Sequence, residues 1–481
     1  MSRNCIQLEM NFNGSFENRF KDRLDNGEFQ IFAELTAPSA DTRLEDAVQR
    51  FADFEYAALS RTRYATALAF LDRDPDSRLM DLVSFASSIC QSSRDSHLLY
   101  ISGRNKNQEQ VFGLAKHAIS EGFKNFCLVS GLPADDADHS ALREQPFTES
   151  VGSLSSLRQS CDESILTGVA VNPYQYSTSS CYNQYFKLVK KVSCGASFAV
   201  AQFGWDLKKM QEIRWNLFQR FLDLPILSRI LFLTPGKIEA IAAGNMPGFS
   251  LSPDLEDVFQ REISQGVSQF QAAQLRRLQL HAAGVRLLGF SGIQLGGIEK
   301  PEILESVLGK IEEAFDEFTN FEDWYQAYSE YYGRLEMAPY PYRFYMFENL
   351  LQYCQPQENL RMREAPLDFC SRKERWRYRL SKFLFANADK FPASERRLTK
   401  KLLASCHSCK KCRLPQTMFV CPEECPKGMA NGVCGEVLPS GMCPYQPEKE
   451  CIFNLRLRLA QTFNDYSSLE ETVADVLPDR R

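Results

Sequence analysis

The feature that most constrains the fold is a regular alternation of short β-rich apolar runs with longer amphipathic runs between about residues 28 and 300. This alternation is typical of repeated βα units, in which parallel strands pair and helices cover the sheet. It predicts eight strands, at 29–35, 65–71, 98–102, 126–130, 166–171, 198–203, 230–233 and 285–290. Eight strands with helices between them favour an α/β fold of the (β/α)8 TIM-barrel type. A doubly wound open sheet is the alternative, but no G-x-G-x-x-G follows a strand to favour it.

The length of 481 residues exceeds what one ordinary core holds, so two or three domains are expected. We predict an N-terminal extension, the barrel, a helical and aromatic-rich linker region, and a small cysteine-rich domain, over residues 1–27, 28–315, 316–400 and 401–481 respectively. The polar, serine-rich stretch 135–160 is interpreted as a long βα loop at the barrel mouth.

Half of the chain's 16 cysteines lie in one short C-terminal stretch. They are Cys406, Cys409, Cys412, Cys421, Cys425, Cys434, Cys443 and Cys451. The C-x2-C-x2-C spacing lets thiolates converge on one centre, and eight sulfurs suffice for two four-ligand sites. A disulfide framework is disfavoured because no secretory signal is visible at the start of the sequence.

The metal itself is left open between two 4Fe–4S clusters and zinc. Prolines follow Cys421, Cys425 and Cys443, and His407 has no second histidine nearby, which favours iron–sulfur.

Composition excludes several classes of function. A net charge of −5 gives no reason to expect a nucleic-acid partner, and the basic run 371–379 is interrupted by an acid and is interpreted as a solvated helix face. No apolar run approaches the roughly 20 residues of a membrane span. We therefore expect a soluble, cytoplasmic protein.

Polar residues at the predicted strand ends suggest a site, because a barrel carries its reacting groups there. Glu34 ends the first strand inside an apolar run, where burial would favour its protonated form and suit a general acid. The third strand runs into Arg104 and three further polar residues to Asn107, a set suited to phosphate. Gly131 follows the fourth strand and permits close approach of a ligand to the backbone.

The sixth strand carries Gln202, whose amide can donate to and accept from the edge of a heterocycle, and Lys191 lies just before that strand. Together these strand-end residues predict a site for an anionic cofactor and a polar heterocycle.

Several segments in the same order resemble one family. They are F-A-E-L-T-A-P, Y-I-S-G-R-N-K-N, E-G-F-K-N-F-C-L-V-S-G-L-P, G-V-A-V-N-P, K-V-S-C-G-A-S-F-A-V-A-Q-F and M-P-G-F-S-L-S-P-D-L. Over about residues 28–315 the chain resembles methylenetetrahydrofolate reductase, the FAD enzyme that reduces 5,10-methylenetetrahydrofolate to 5-methyltetrahydrofolate; G-F-S-G-I-Q-L-G-G looks like the family's final strand. The cysteine stretch, with C-P-x-x-C-P-K-G followed by N-G-x-C-G, resembles the zinc- or iron–sulfur-binding domain that accompanies this reductase in acetogens and other anaerobes.

The resemblance implies roles for single residues. Glu34 matches the general acid that protonates the bridging nitrogen of the folate, and Gln202 matches the glutamine that holds the pterin. The residues matched to FAD binding are Ser102, Arg104, Asn107, Ser130, Gly131 and Lys191. A tetrahydrofolate derivative is the implied substrate, and the implied electron donor is NAD(P)H, ferredoxin or a partner dehydrogenase.

The chain departs from the family at Leu132, where an aspartate is usual, and at Ser130, where an arginine is usual. Asp135 or Asp136 is the candidate replacement for the aspartate. Two other functions stay open: a non-catalytic folate- or flavin-binding subunit that docks a redox partner, and a pterin-dependent methyl-transfer or demethylation protein.

Overall fold

The structure is a computed structural model. It describes residues 18–39, 41–60, 63–72, 79–90, 93–131, 147–246, 248–249, 251–333, 343–352, 360–363, 368–390, 397–407, 412–438 and 440–473.

Eight parallel strands form a closed barrel in sequence order. They are β1 (Gln30–Thr36), β2 (Ala65–Leu71), β3 (Leu98–Ser102), β4 (Asn125–Val129), β5 (Leu166–Val171), β6 (Phe198–Ala201), β7 (Ile226–Leu231) and β8 (Gly292–Gly296). The barrel closes where β1 pairs with β8, with Gln30 opposite Gly292. The predicted TIM-type barrel is therefore confirmed.

Helices follow the strands and continue into the C-terminal part. They are α1 (Arg19–Asp25), α2 (Leu44–Ser60), α3 (Leu82–Ile89), α4 (Gln108–Ser120), α5 (Ser150–Ser160), α6 (Thr178–Ser193), α7 (Leu207–Gln219), α8 (Pro235–Ala242), α9 (Pro253–Gln265), α10 (Val267–Leu287), α11 (Pro301–Glu317), α12 (Phe321–Tyr332), α13 (Arg372–Phe385), α14 (Arg397–Ala404), α15 (Ile452–Phe463) and α16 (Ser467–Glu470). A short antiparallel pair, β9 (Met442–Cys443) and β10 (Gln446–Glu450), lies in the cysteine-rich region. Within the described residues, no helix is long and apolar enough to cross a membrane.

Side-chain alternation along β1 separates two cores. Ile31, Ala33 and Leu35 belong to the cluster between strands and helices, whereas Phe32 belongs to the cluster inside the barrel. The same period of two sends Glu34 inward at the carboxyl end of the strand. Phe20 of α1 closes the opposite end, with its ring edge-on to Phe32 at a centroid distance of 5.0 Å. The α1 segment, placed in the extension by the sequence analysis, thus forms the floor of the barrel.

The prediction of a strand at 285–290 is wrong. Helix α10 runs to Leu287, and the eighth strand is β8, which lies inside the segment G-F-S-G-I-Q-L-G-G. Val285 and Phe290 are buried where α10 ends and turns toward β8, so their apolar pattern reflects helix packing. A short buried run cannot be assigned to strand or helix by its apolar pattern alone.

Two further expectations change. The seventh strand is β7, four residues earlier than the predicted start at 230, which brings Arg229 into the barrel. Part of the supposed loop 135–160 is helix α5, whose apolar face packs Leu154 and Leu157 into the core. Residues 132–146, including Leu132, Asp135 and Asp136, lie outside the described residues.

Candidate active site

A cavity of about 810 Å³ lies at the carboxyl ends of the barrel strands. This volume falls within the range of roughly 300–1,000 Å³ that is usual for small-molecule sites. One wall consists of barrel residues, and the other is formed by the C-terminal part, through Met429, Val433, Cys434, Gly435 and Glu436. The cavity is therefore composite, since neither part encloses it alone.

Glu34 is held at the floor of this cavity by a hydrogen-bonded network. Its Oε1 accepts from Gln294 Nε2 at 2.6 Å and from Arg229 Nε, and its Oε2 accepts from Arg229 Nη2 at 2.8 Å. Tyr100 in turn donates its hydroxyl to Gln294 Oε1 at 2.7 Å. Both oxygens of the carboxylate are thus fixed in orientation toward the barrel axis.

Arg229 links the two residues with predicted roles in folate chemistry. Its Nη1 donates to Gln202 Oε1 at 3.1 Å, while its other nitrogens contact Glu34. Burial lowers the pKa of Arg229, but the charge and hydrogen bonds of Glu34 outweigh this effect and the net pKa is raised. Glu34 and Gln202 therefore both contact one buried cation, which holds their side chains close together in the cavity.

The residues matched to the cofactor mostly line the cavity. Ser102, Arg104, Ser130, Gly131 and Lys191 all contribute to its wall. Asn107 does not line it, because its side chain caps α4 by accepting from Gln110 N at 2.9 Å.

Gly131 lies where a side chain would not fit. Its φ is +81°, in the left-handed region, and an added Cβ would lie 2.1 Å from Ser102 Oγ and 2.7 Å from Arg104 Cβ. Packing against Ser102 and Arg104, together with the left-handed backbone, therefore requires a glycine at this position.

Lys191 reaches the cavity from the last turn of α6. Its ammonium donates to Ala170 O at 2.5 Å. Burial, and then the neighbouring charge of Lys187, lower its pKa to about 7, although Cys127 and Glu149 act in the opposite direction. At neutral pH the Lys191 side chain is therefore only partly in its charged form, the form that would attract an anionic ligand.

The C-terminal part is fastened to the barrel through Glu149, which is buried at the start of α5. Its Oε2 accepts from the backbone of Ala430 and of Asn431, both at 3.1 Å, and Lys187 Nζ lies 3.4 Å from its Oε1. Burial raises the pKa of Glu149, but Lys187 and the backbone donors outweigh this and lower it overall. These contacts set the position of the cavity roof.

Further hydrogen bonds hold the roof itself. Gln184 donates to Cys434 O at 3.0 Å, and Asn172 donates to Gly435 O at 2.8 Å. Lys427 bridges the parts by donating to Gly131 O at 3.0 Å and to Glu436 Oε2 at 2.7 Å. Glu436 thus brings a carboxylate from the C-terminal part to the glycine of the fourth strand end.

We expect Glu149→Gln to loosen this junction. Breaking a buried ion pair typically costs about 3–5 kcal/mol, and the amide would leave Lys187 without its anion. Hydrogen exchange should quicken in residues 425–436 of the variant. In the wild type, the stabilisation by Glu149 is present above the carboxyl pKa of the unfolded chain and is lost as pH falls through the lowered pKa of the folded state. The variant should lack this pH-dependent part of the unfolding free energy. The exposed Glu163→Gln is the matched control; equal protection in both variants would contradict this role.

The thiols fall into two groups. In the first group, the hydrogen bond with Cys406, and then burial, raise the pKa of the Cys421 thiol. Burial raises the pKa of the Cys412 thiol, and the nearby charge of Cys406 raises it further. Cys409 lies outside the described residues.

The second group comprises Cys425, Cys434, Cys443 and Cys451. Burial raises the pKa of Cys451, and the nearby charges of Cys425 and Cys443 raise it further. Burial likewise raises the pKa of Cys434, with Cys451 and Cys425 among its neighbours. Cys434 also lines the cavity, so this group borders the site of Glu34 directly.

Glu55, Cys90 and His97 form another cluster of ligand-type atoms, all within 4.8 Å of one another. His97 Nδ1 accepts from Leu68 N at 3.0 Å, which leaves the proton of a neutral ring on Nε2, the atom that faces Glu55. A protonated nitrogen cannot ligate a metal. The cluster is therefore better explained as a buried contact between helix α2 and β3.

Sequence reasoning missed Arg229, Gln294 and the wall contributed by the C-terminal part. A cation inside the apolar strand I-L-S-R-I-L was a usable signal for Arg229, but the predicted strand started after it. Nothing in the sequence signalled that residues near 430 would face a glutamate near 150, because docking of the two parts has no local pattern.

Fold and cavity define a (β/α)8 barrel protein whose cavity at the strand ends is completed by a cysteine-rich second part. Comparison with known families makes this specific. Residues 19–248 match the family methylenetetrahydrofolate reductase, and residues 385–476 match the family described as methylene-tetrahydrofolate reductase C terminal. The chain thus carries a methylenetetrahydrofolate reductase family domain over residues 19–248, which includes seven of the eight barrel strands, and a C-terminal domain associated with that family over residues 385–476.

Among solved structures, one similar chain is described as an uncharacterized protein from Clostridium thermocellum that binds two copies of 5-methyl-5,6,7,8-tetrahydrofolic acid. The identity is 14%, the match covers 62% of this chain and 99% of that one, and the TM-score is 0.45. No curated protein matches the chain.

Proposed function

We propose that the protein reduces 5,10-methylenetetrahydrofolate to 5-methyltetrahydrofolate with FAD, and that electrons reach the flavin through metal centres of the C-terminal domain. The observation that carries the proposal is that Cys434 and Glu34 line one cavity. A thiol-bound centre at Cys434 would stand next to the site where the folate is reduced. The family matches supply the reaction class.

The residues present fit an anionic dinucleotide such as FAD. Arg104 and Lys191 place cations in the cavity that Gly131 also lines. The flavin would supply hydride, while the protein supplies orientation, charge and the proton.

Glu34 is the proposed proton donor to the bridging nitrogen, and Gln202 the proposed contact of the pterin. The bidentate contact with Arg229 favours the ionised carboxylate, an effect opposite to that expected from burial alone. Donation of a proton therefore requires Arg229 to turn away from Glu34 in the substrate complex.

Each thiol group offers four cysteine ligands, a set that can hold either a 4Fe–4S cluster or a zinc ion. Prolines follow Cys421, Cys425 and Cys443, and His407 has no second histidine nearby in the sequence, which favours iron–sulfur. We therefore assign one 4Fe–4S centre to Cys425, Cys434, Cys443 and Cys451, and a second one to Cys406, Cys409, Cys412 and Cys421.

Purification under strict anoxia tests the proposal. The chain should carry about eight irons, as two four-iron clusters require, together with flavin, and it should convert 5,10-methylenetetrahydrofolate when a low-potential reductant is supplied. A colourless zinc protein would remove electron delivery from the proposal. An iron-loaded flavoprotein inactive with every donor would favour the non-catalytic alternative.

Lys191 gives a pH-dependent expectation. Because its pKa lies near 7, its charge is present below that pH and is lost as pH rises through it. Flavin affinity, measured by fluorescence quenching, should fall by about tenfold per pH unit above neutrality if binding requires that proton, and Lys191→Met should bind weakly at every pH. A wild-type affinity that does not change from pH 6 to 9 would contradict this role. Lys310→Met, at a partly exposed lysine on α11 far along the chain from the cavity residues, is the control.

A further inference from the structure

The C-terminal part exposes an unusual amount of apolar surface on two adjacent helices. Trp376 and Phe383 on α13 are 60% and 84% exposed, and Leu398 and Leu402 on α14 are 84% and 78% exposed. Spacings of seven and four residues place each pair on one face of its helix. Large exposed apolar side chains grouped in this way mark interaction surfaces more often than isolated ones do.

The two helices touch each other and form one unit. Arg377 Nε of α13 donates to Leu403 O of α14 at 3.1 Å, and the inner faces of both helices pack in one cluster. We call the solvent-facing side of α13 and α14, with Trp376, Phe383, Leu398 and Leu402, the outer face.

The outer face is also basic. Helix α13 carries six cations and a single acid, Glu374, which is engaged by Arg458 Nη2 at 3.0 Å. The exposed cations are Arg372, Lys373, Arg375, Arg379 and Lys382. Since the whole chain has a net charge of −5, this face is a local reversal of sign. Charge complementarity therefore points to an acidic partner.

The opposite side of the same helices covers the first thiol group. Phe385, Leu403 and Ala404 pack in one cluster with Cys412 and Cys421, and Cys406 follows α14 after a single residue. A helix is about 10 Å across, so a partner on the outer face would lie about one helix diameter from these sulfurs. The second thiol group, by contrast, borders the cavity through Cys434.

From this arrangement we propose that the outer face docks a small acidic iron–sulfur electron carrier of the ferredoxin type. This proposal rests on the proposed function: the first thiol group would accept electrons from the carrier, and the second would pass them on to the cavity. Two reduced carriers each lose one electron, and one 5,10-methylenetetrahydrofolate gains two electrons and two protons to give one 5-methyltetrahydrofolate.

The test uses the full chain, purified under anoxia, and an acidic ferredoxin with two 4Fe–4S clusters as the probe. Calorimetry should show binding that weakens with added salt. Removing the anchors in W376S/F383S should weaken it by about tenfold or more, as expected for central aromatic contacts. Charge reversal in K373E/R375E should slow association. The controls F221S, an exposed aromatic on the barrel, and K300E should bind like the wild type.

The outcomes are separable. Equal ferredoxin binding by the outer-face variants, or none by the wild type, overturns the docking proposal. The wild type could instead fail to bind ferredoxin but sediment with anionic phosphatidylserine vesicles. If W376S/F383S abolishes that sedimentation, the docking proposal is overturned in favour of a membrane surface. Dithionite-reduced methyl viologen bypasses docking, so outer-face variants should reduce folate with it at the wild-type rate. Failure of the wild type with viologen would instead count against the proposed function.

Discussion

Replacing Glu34 by glutamine is expected to slow folate reduction by about 10²–10⁴-fold, the usual contribution of a positioned acid. The amide keeps the size of the side chain and its place beside Gln294, but it has no proton to give to the bridging nitrogen. Flavin content and flavin affinity should stay at wild-type values. Single-turnover oxidation of prereduced enzyme by 5,10-methylenetetrahydrofolate measures the loss directly.

Glu299→Gln is the matched control, because Glu299 also lines the cavity but its side chain is 73% exposed. It should retain nearly full activity. Arg229→Gln removes the cation that holds both Glu34 and Gln202, so it should also slow single-turnover folate reduction. Unchanged folate reduction in Glu34→Gln would show that another group supplies the proton.

Cys434→Ser is expected to have the second large effect, because Cys434 belongs to both the thiol group and the cavity wall. Loss even of a group behind a metal ligand lowers metal affinity by about 10–100-fold, and loss of the ligand itself should exceed that. The variant should retain only about four of eight irons, as expected when one four-iron cluster is lost. Iron analysis and electron paramagnetic resonance of the reduced protein measure this.

The expected functional consequence in Cys434→Ser is loss of turnover with external electron donors. Folate reduction by chemically prereduced flavin should survive, since Glu34 and Gln202 are untouched. Cys161→Ser, a partly buried thiol at the end of α5, is the control and should keep all iron. Full donor-dependent turnover in Cys434→Ser would disprove electron delivery through this group.

The barrel and much of its site could be predicted because the governing patterns are local. Alternating βα runs predicted the closed sheet, and strand ends predicted Glu34, Arg104, Gly131 and Gln202, all of which line one cavity. The clustered cysteines gave the C-terminal module. These features depend on spacing along a few residues, which a sequence displays directly.

What could not be predicted depends on contacts between distant segments. The eighth strand was misplaced because a buried helix end and a buried strand have the same apolar pattern. The pairing of Glu34 with Arg229 spans 195 residues, and the bonds from Asn431 to Glu149 span 282. Asn107 was assigned to the cofactor from its neighbours, although a residue of its type before a helix is more simply a cap.

The shared wall of the cavity has a consequence for how such a protein can be put together. If the barrel and the cysteine-rich part were made as separate polypeptides, the reaction chamber would exist only at a subunit boundary, and the two products would have to stay in a tight heterodimer. Association of two separate subunits would depend on their concentrations. Fusion in a single chain removes this dependence, because each barrel is synthesised together with the part that forms its cavity roof.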